Sequence, residues 1–156
     1  MELIPAWDKY PALNFKEKIA FLTTEFLKLP QIDCPVLHIF EDGFYIREMT
    51  IPAGTLFLGR AHIRGHRCEL VSGSLIQMLP DGTRREVHAP FAVHTTPGFH
   101  MVVYALSDVL GRTIHSNHGE ERDTDLLEAG IFEPLSSLVA LGDEVAQRLL
   151  PSDVAA

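Results

Sequence analysis

A chain of 156 residues is long enough for one domain with a sizeable buried core. Hydrophobic residues at 46% and charged residues at 22% are ordinary for a soluble globular protein. A formal charge of −8 excludes a general binder of polyanions or nucleic acid, because phosphate backbones select basic surfaces.

Residues 1–13 carry neither a basic start nor an apolar stretch of the length that a signal peptide or membrane helix requires. Asn14 with Glu17 three residues later reads as a capping box. Phe15, Ile19, Leu22, Phe26 and Leu29 then form one apolar stripe, which predicts a helix of about four turns packed on a sheet and ended by Pro30. From Val36 to Ser116 the texture changes to short β-like runs at 36–40, 44–51, 55–63, 66–72, 74–79, 84–88, 91–95, 99–105 and 110–116. Glu41-Asp42-Gly43, Pro52-Ala53-Gly54, Pro80-Asp81-Gly82 and Thr96-Pro97-Gly98 are turns between them, the third being the strongest hairpin signal. Many short strands at regular spacing indicate an antiparallel barrel or sandwich.

Residues 118–130 are acidic and polar and read as a loop, with Leu126 and Leu127 opening a short helical turn. Leu135, Leu138, Val139, Val145 and Leu149 predict one or two C-terminal helices broken at Gly142, and Pro151 begins a frayed end. The expected organisation is a helical arm at 1–35, an all-β core at 36–117, and an acidic loop with helices packed on that core at 118–156, one domain overall. Cys34 and Cys68 form no recurring framework, which suits a reducing cytoplasm.

One constellation carries chemistry. Gly54, Arg60, His62, His66 and Gly73 stand at fixed spacing, and His100 follows the Pro97-Gly98 turn. If the strands pair as their turns indicate, His62, His66 and His100 converge, and three neutral imidazoles make a site for a divalent metal. Lacking a carboxylate, such a site suits Zn, Fe, Ni, Mn or Cu better than Mg or Ca. Cys68 shares strand parity with His66 as an apolar filler, whereas Glu69 turns to the opposite face. His115 shares a run with Thr113 and is a fourth ligand, a general base or a surface residue.

Arg60 at an inward position would need a partner, supplied by Glu48, by Glu69 or by a bound anion. Arg60, Arg64 and Arg67 put three guanidiniums near one mouth, a pocket for a small anionic ligand such as a sugar phosphate, nucleotide or organic acid. Tyr104 shares parity with His100 and offers a phenol to that pocket.

The stretch 54–104 resembles the cupin superfamily, small barrels of jelly-roll type. Its first motif, Gly, five residues, His-x-His, three or four residues, Glu, six residues, Gly, is kept in spacing by Gly54, Arg60, His62, His66 and Gly73. Arg60 replaces the first His and His66 the Glu. The second motif matches only at His100, with Ala89, Thr95, Pro97 and Tyr104 on its other positions. Ile51-Pro52-Ala53-Gly54-Thr55, Ala89-Pro90-Phe91 and Thr113-Ile114-His115 look like small cupin-like proteins of bacteriophages and their hosts. The resemblance implies a cupin-type jelly-roll barrel and a homodimer.

Three functions follow as expectations. The first is a metal-dependent enzyme, with Arg60 orienting an anionic substrate and Tyr104 or His115 moving a proton. The second is a module that binds or sequesters a small anion without catalysis. The third is a phage-type structural or assembly protein. No phosphate loop, nucleophile elbow, His-Glu-x-x-His or Cys-x-x-Cys pair is present.

Overall fold

The structure, a computed structural model, describes residues 3–150. The frayed end expected from Pro151 lies outside the described residues. In chain order the elements are helices α1 (Pro5–Asp8) and α2 (Phe15–Phe26) and strands β1 (Val36–Glu41), β2 (Phe44–Ile51), β3 (Leu56–Leu58), β4 (Arg67–Ser72) and β5 (Ser74–Met78). There follow β6 (Arg84–His88), β7 (Phe91–His94), β8 (Val102–Ala105), β9 (Val109–Ser116) and helices α3 (Thr124–Ile131) and α4 (Leu135–Leu149). They fall into two compact units. Among the described residues, one gathers those up to Gln31, Leu79–Thr83 and those from Pro134; the other gathers Ile32–Met78 and Arg84–Glu133.

The first unit is helical. Asn14 Oδ1 accepts from the Glu17 N–H at 2.9 Å while Glu17 Oε1 accepts from the Asn14 N–H at 3.2 Å, so the capping box is present in full. The α-helix stops at Phe26, one turn short of the sequence pattern. Lys28 and Leu29 continue it by donating to Glu25 and Phe26 in the tighter i→i−3 geometry. The buried positions of α4 are Leu138, Gly142 and Val145. Gly142 does not break this helix. A Cβ there would overlap the Ala20 carbonyl and the Thr24 methyl, so the missing side chain is what lets α4 lie close on α2. Arg148 pairs with Glu17 at the end of that contact.

The second unit holds nine strands in two antiparallel sheets, ordered β1-β2-β9-β4-β7 and β3-β8-β5-β6. This is a jelly-roll arrangement. The expected barrel is corrected to a two-sheet sandwich, because no ladder among the described residues joins one sheet to the other. The expected strand 55–63 is also shorter, ending at Leu58. Gly59 then turns to donate to the Met101 carbonyl at 2.7 Å, where a Cβ would lie 2.9 Å from that oxygen. Gly73, at φ 92°, takes the left-handed conformation between β4 and β5.

Alternation sorts the strands of the five-stranded sheet into two faces. Ile51, Leu70 and Val109 point inward to meet Leu75, Val87, Val103 and Ala105 from the other sheet, and this cluster is the apolar core. On the outer face Arg112 Nη2 donates to Glu48 Oε2 at 2.7 Å and its Nη1 lies 3.8 Å from Glu69, which Arg67 Nε pairs with at 3.0 Å. Both carboxylates considered as partners for Arg60 are thereby engaged elsewhere. Cys34 and Cys68 are free thiols.

Candidate functional site

Parity carries the inner face of β2 from Ile51 through Met49 to Arg47 and Tyr45. Opposite them on β9 stand Val109, Gly111, Thr113 and His115. The sandwich is therefore apolar at one end and polar at the other. Cys68 faces Thr113, and His66, two residues earlier, continues the same line toward the polar end. His66 is fixed beside the β4–β7 pairing by Thr95: its N–H donates to Thr95 Oγ1 at 3.1 Å, and the Thr95 N–H donates to its carbonyl at 2.8 Å.

Three buried imidazoles meet there. The ring centroids of His62 and His66 are 4.2 Å apart, those of His66 and His115 are 4.8 Å apart, and His62 lies 6.0 Å from a nearly parallel His115. At 4.2 Å, rings tilted by only 31° overlap by their faces. Phe99 flanks the pair, 6.1 Å from each. Tyr45, fully buried, lies 6.1 Å from His115, and its oxygen is 2.5 Å from His38 Nδ1. Burial raises the Tyr45 pKa, so the phenol keeps its proton.

A strap from the end of α3 crosses this end. His62 and Phe132 form an antiparallel bridge, flanked by donation from Ile63 to the Ile131 carbonyl at 2.8 Å and from Glu133 to the Ala61 carbonyl at 2.9 Å. The Phe132 ring lies 4.7 Å from His62. Arg60 Cζ stands 4.7 Å and Arg47 Cζ 5.0 Å from the same ring centroid, both over its face. Arg47 Nη1 donates to Glu128 Oε1 at 2.6 Å. Arg60 has no carboxylate partner among the described residues.

The charge states follow from burial. His62 and His115 are both pushed down to about 3, chiefly by desolvation, and His66 repels the charged form of each. Desolvation lowers His66 too, against the opposing pull of the Arg64 carbonyl. All three are neutral at pH 7. His62 Nδ1 faces the Phe99 carbonyl at 3.3 Å, His66 Nδ1 the Arg64 carbonyl at 3.3 Å, and His100 Nδ1 the Gly59 carbonyl at 2.8 Å. A carbonyl only accepts, so each Nδ1 carries a hydrogen, and in neutral His62 and His66 Nε2 keeps a lone pair. His66 Nε2 is buried and finds no hydrogen-bond partner among the described residues.

Of the expected triad His62, His66 and His100, the ring contacts bring His62 and His66 together, and they add His115. His100 is buried in the segment before β8, its Nδ1 donating to the Gly59 carbonyl. Within β8, Tyr104 stands between the inward Val103 and Ala105 and so faces away from the core. Arg67 lies on the outer face with Glu69, and Arg64 is exposed in the connection from β3 to β4. Of the three arginines considered, Arg60 alone reaches the polar end.

Tested against a three-histidine metal centre, these residues meet the tautomer condition and fail the grouping. Among the described residues no three His, Cys, Asp or Glu side chains stand where they could hold one ion. Sequence reasoning missed Tyr45, Arg47, Glu128 and Phe132. Arg47 was detectable as the one charge in the inward series Tyr45, Arg47, Met49, Ile51; Glu128 and Phe132 meet it from across the chain with no local signal.

The site thus belongs to a two-sheet jelly-roll protein with a histidine-lined polar end. In structure the chain is similar to cupin-domain proteins. One is the cupin domain of an XRE family transcriptional regulator from Enterobacter cloacae (TM-score 0.45, 17% identity, 52% of this chain and 93% of that one). Another is a cupin domain from Bordetella pertussis (0.44, 14%, 57% and 98%). Ectoine synthase from P. lautus is also similar (0.47, 12%, 55% and 65%). No protein-family model matches the chain, and no curated protein matches it. At such identities and scores no chemistry is carried across, and the fold assignment stands on the strand order. Among the described residues no helix is long and apolar enough to cross a membrane.

Proposed function

We propose that this chain binds a small anionic molecule at the polar end of its sandwich, with Arg60 as the cation and the neutral imidazoles of His62 and His66 as hydrogen-bonding neighbours. One observation carries the reading: a half-buried guanidinium with no carboxylate partner among the described residues stands over Phe132, whose ring also touches His62. An unpaired cation away from bulk water favours an anion, and a guanidinium holds carboxylate or phosphate by two parallel hydrogen bonds. A homodimer and a cytoplasmic setting complete the proposal. The test is thermal unfolding with chelator present, against phosphate, citrate and acetate. At least one should raise the melting temperature, as ligand binding to the native state requires, and Arg60→Met should abolish the rise. A wild-type melting temperature that no anion moves refutes the reading.

A second reading puts a divalent transition metal on His62, His66 and His100. The shared tautomer favours it, since ligating imidazoles usually donate their other nitrogen to a carbonyl or carboxylate. The grouping does not. Metal analysis of protein purified without chelator separates the two: less than about a tenth of an ion per chain, with no uptake on adding Zn, Fe(II), Ni, Mn or Cu, removes the metal.

A further inference from the structure

The polar end already holds an occupant of recognisable chemistry. Glu128 and Phe132 stand four residues apart, the spacing that places side chains as neighbours at a helix end. Glu128 gives Arg47 a carboxylate at 2.6 Å. Phe132 gives Arg47, Arg60 and His62 an aromatic ring at 5.0, 4.7 and 4.7 Å. A carboxylate and a phenyl group, offered together to two guanidiniums and an imidazole, are the two halves of an aromatic acid. The charges leave room for a better one. Glu128 is given to Arg47, and Arg60 keeps its guanidinium over the ring with no carboxylate partner among the described residues.

The element that delivers this occupant is lightly held. No residue of α3 is buried, and Leu126 on it is 62% exposed. The strap is tied through the Arg47–Glu128 pair, the Phe132 ring and the two backbone bonds beside His62. Few buried apolar contacts mark a segment that opens at low free energy.

We propose that Glu128 and Phe132 are an internal plug in a seat formed by Arg47, Arg60 and His62, and that the seat takes an aromatic carboxylate when the strap lifts. The inference rests on the anion-binding reading above and names the class of anion. The plug competes with the ligand, so the affinity of the intact protein is reduced by the fraction of molecules with the strap open.

The test is calorimetric titration of the full chain with 3-phenylpropionate, cyclohexanepropionate as the ring-free match in bulk, and citrate as an anion without a ring. Phe132→Ala should bind 3-phenylpropionate at least about tenfold more tightly than wild type, with a clearly smaller gain for the cyclohexyl compound. Adding Arg60→Met to that variant should remove the gain. Glu128→Gln frees Arg47 without opening a cavity and should tighten binding about threefold or more, so the test survives if Phe132→Ala does not fold. Binding of 3-phenylpropionate no tighter in either variant than in wild type overturns the plug. Should citrate still stabilise the protein through Arg60, the anion-binding reading stands and only this inference falls; if no anion binds, both fall.

Discussion

Acidification should unfold the β unit well before its carboxylates are titrated. In the unfolded chain a histidine takes up a proton near pH 6.5, whereas folded His62 and His115 resist protonation down to about 3. The unfolded state therefore binds more protons between those values, and stability present above pH 6.5 is lost as pH falls through this window. Each pH unit below 6.5 costs about 1.4 kcal/mol per histidine. From pH 7 to pH 5 that amounts to about 2 kcal/mol for each ring, hence about 4 kcal/mol for both, with His66 adding in the same direction. Urea unfolding followed by the circular dichroism of the strands reads it directly. With a slope near 2 kcal/mol per molar, the midpoint should fall by about 2 M. His62→Gln and His115→Gln should each flatten the dependence by roughly half. A wild-type stability constant to within about 1 kcal/mol across this range, or a slope unchanged in both variants, would show that the rings are not held neutral by burial.

Other outcomes follow from particular contacts. Gly142→Ala gains about 1 kcal/mol of helix propensity but forces a methyl into the Ala20 carbonyl; a net loss of about 1–2 kcal/mol by thermal unfolding is expected, and a stabilised variant would contradict the close approach of α2 and α4. Asn14→Ala removes the cap and should lower stability by about 1 kcal/mol in the same measurement. Cys68, held up to about 11 by burial, should react with maleimide at pH 7 about a hundredfold more slowly than an ordinary thiol until the protein is unfolded. Gly65→Ala would place a Cβ 2.5 Å from the Thr95 carbonyl, loosening the end of the β4–β7 pairing that fixes His66; a loss of about 2 kcal/mol is expected, and an unchanged melting temperature would refute the contact.

The strands were legible because their borders are punctuated by turn residues, and the capping box announced α2 for the same local reason. His115 was legible through its parity with Thr113. His100 was the harder residue to place from sequence. Motif spacing placed it with His62 and His66, but it sits in the irregular segment before β8, where no side-chain period applies, and its Nδ1 is taken up by the Gly59 carbonyl. Arg60 was expected to face Glu48, Glu69 or a bound anion; both carboxylates are engaged by Arg112, and what the fold sets beside Arg60 is the Phe132 ring. No local pattern could announce Arg47 with Glu128, whose separation is 81 residues. Local chemistry writes the elements; the pairing of distant side chains is written by topology.

The gradient along β2 and β9 divides labour within single strands. Their Ile51–Val109 ends carry the adhesion that keeps the sheets together, while their Tyr45–His115 ends hold groups that folding alone would not select. Mutational damage should segregate accordingly. Lesions at one extremity weaken the scaffold and spare recognition, and lesions at the other rewrite recognition on a scaffold that still stands.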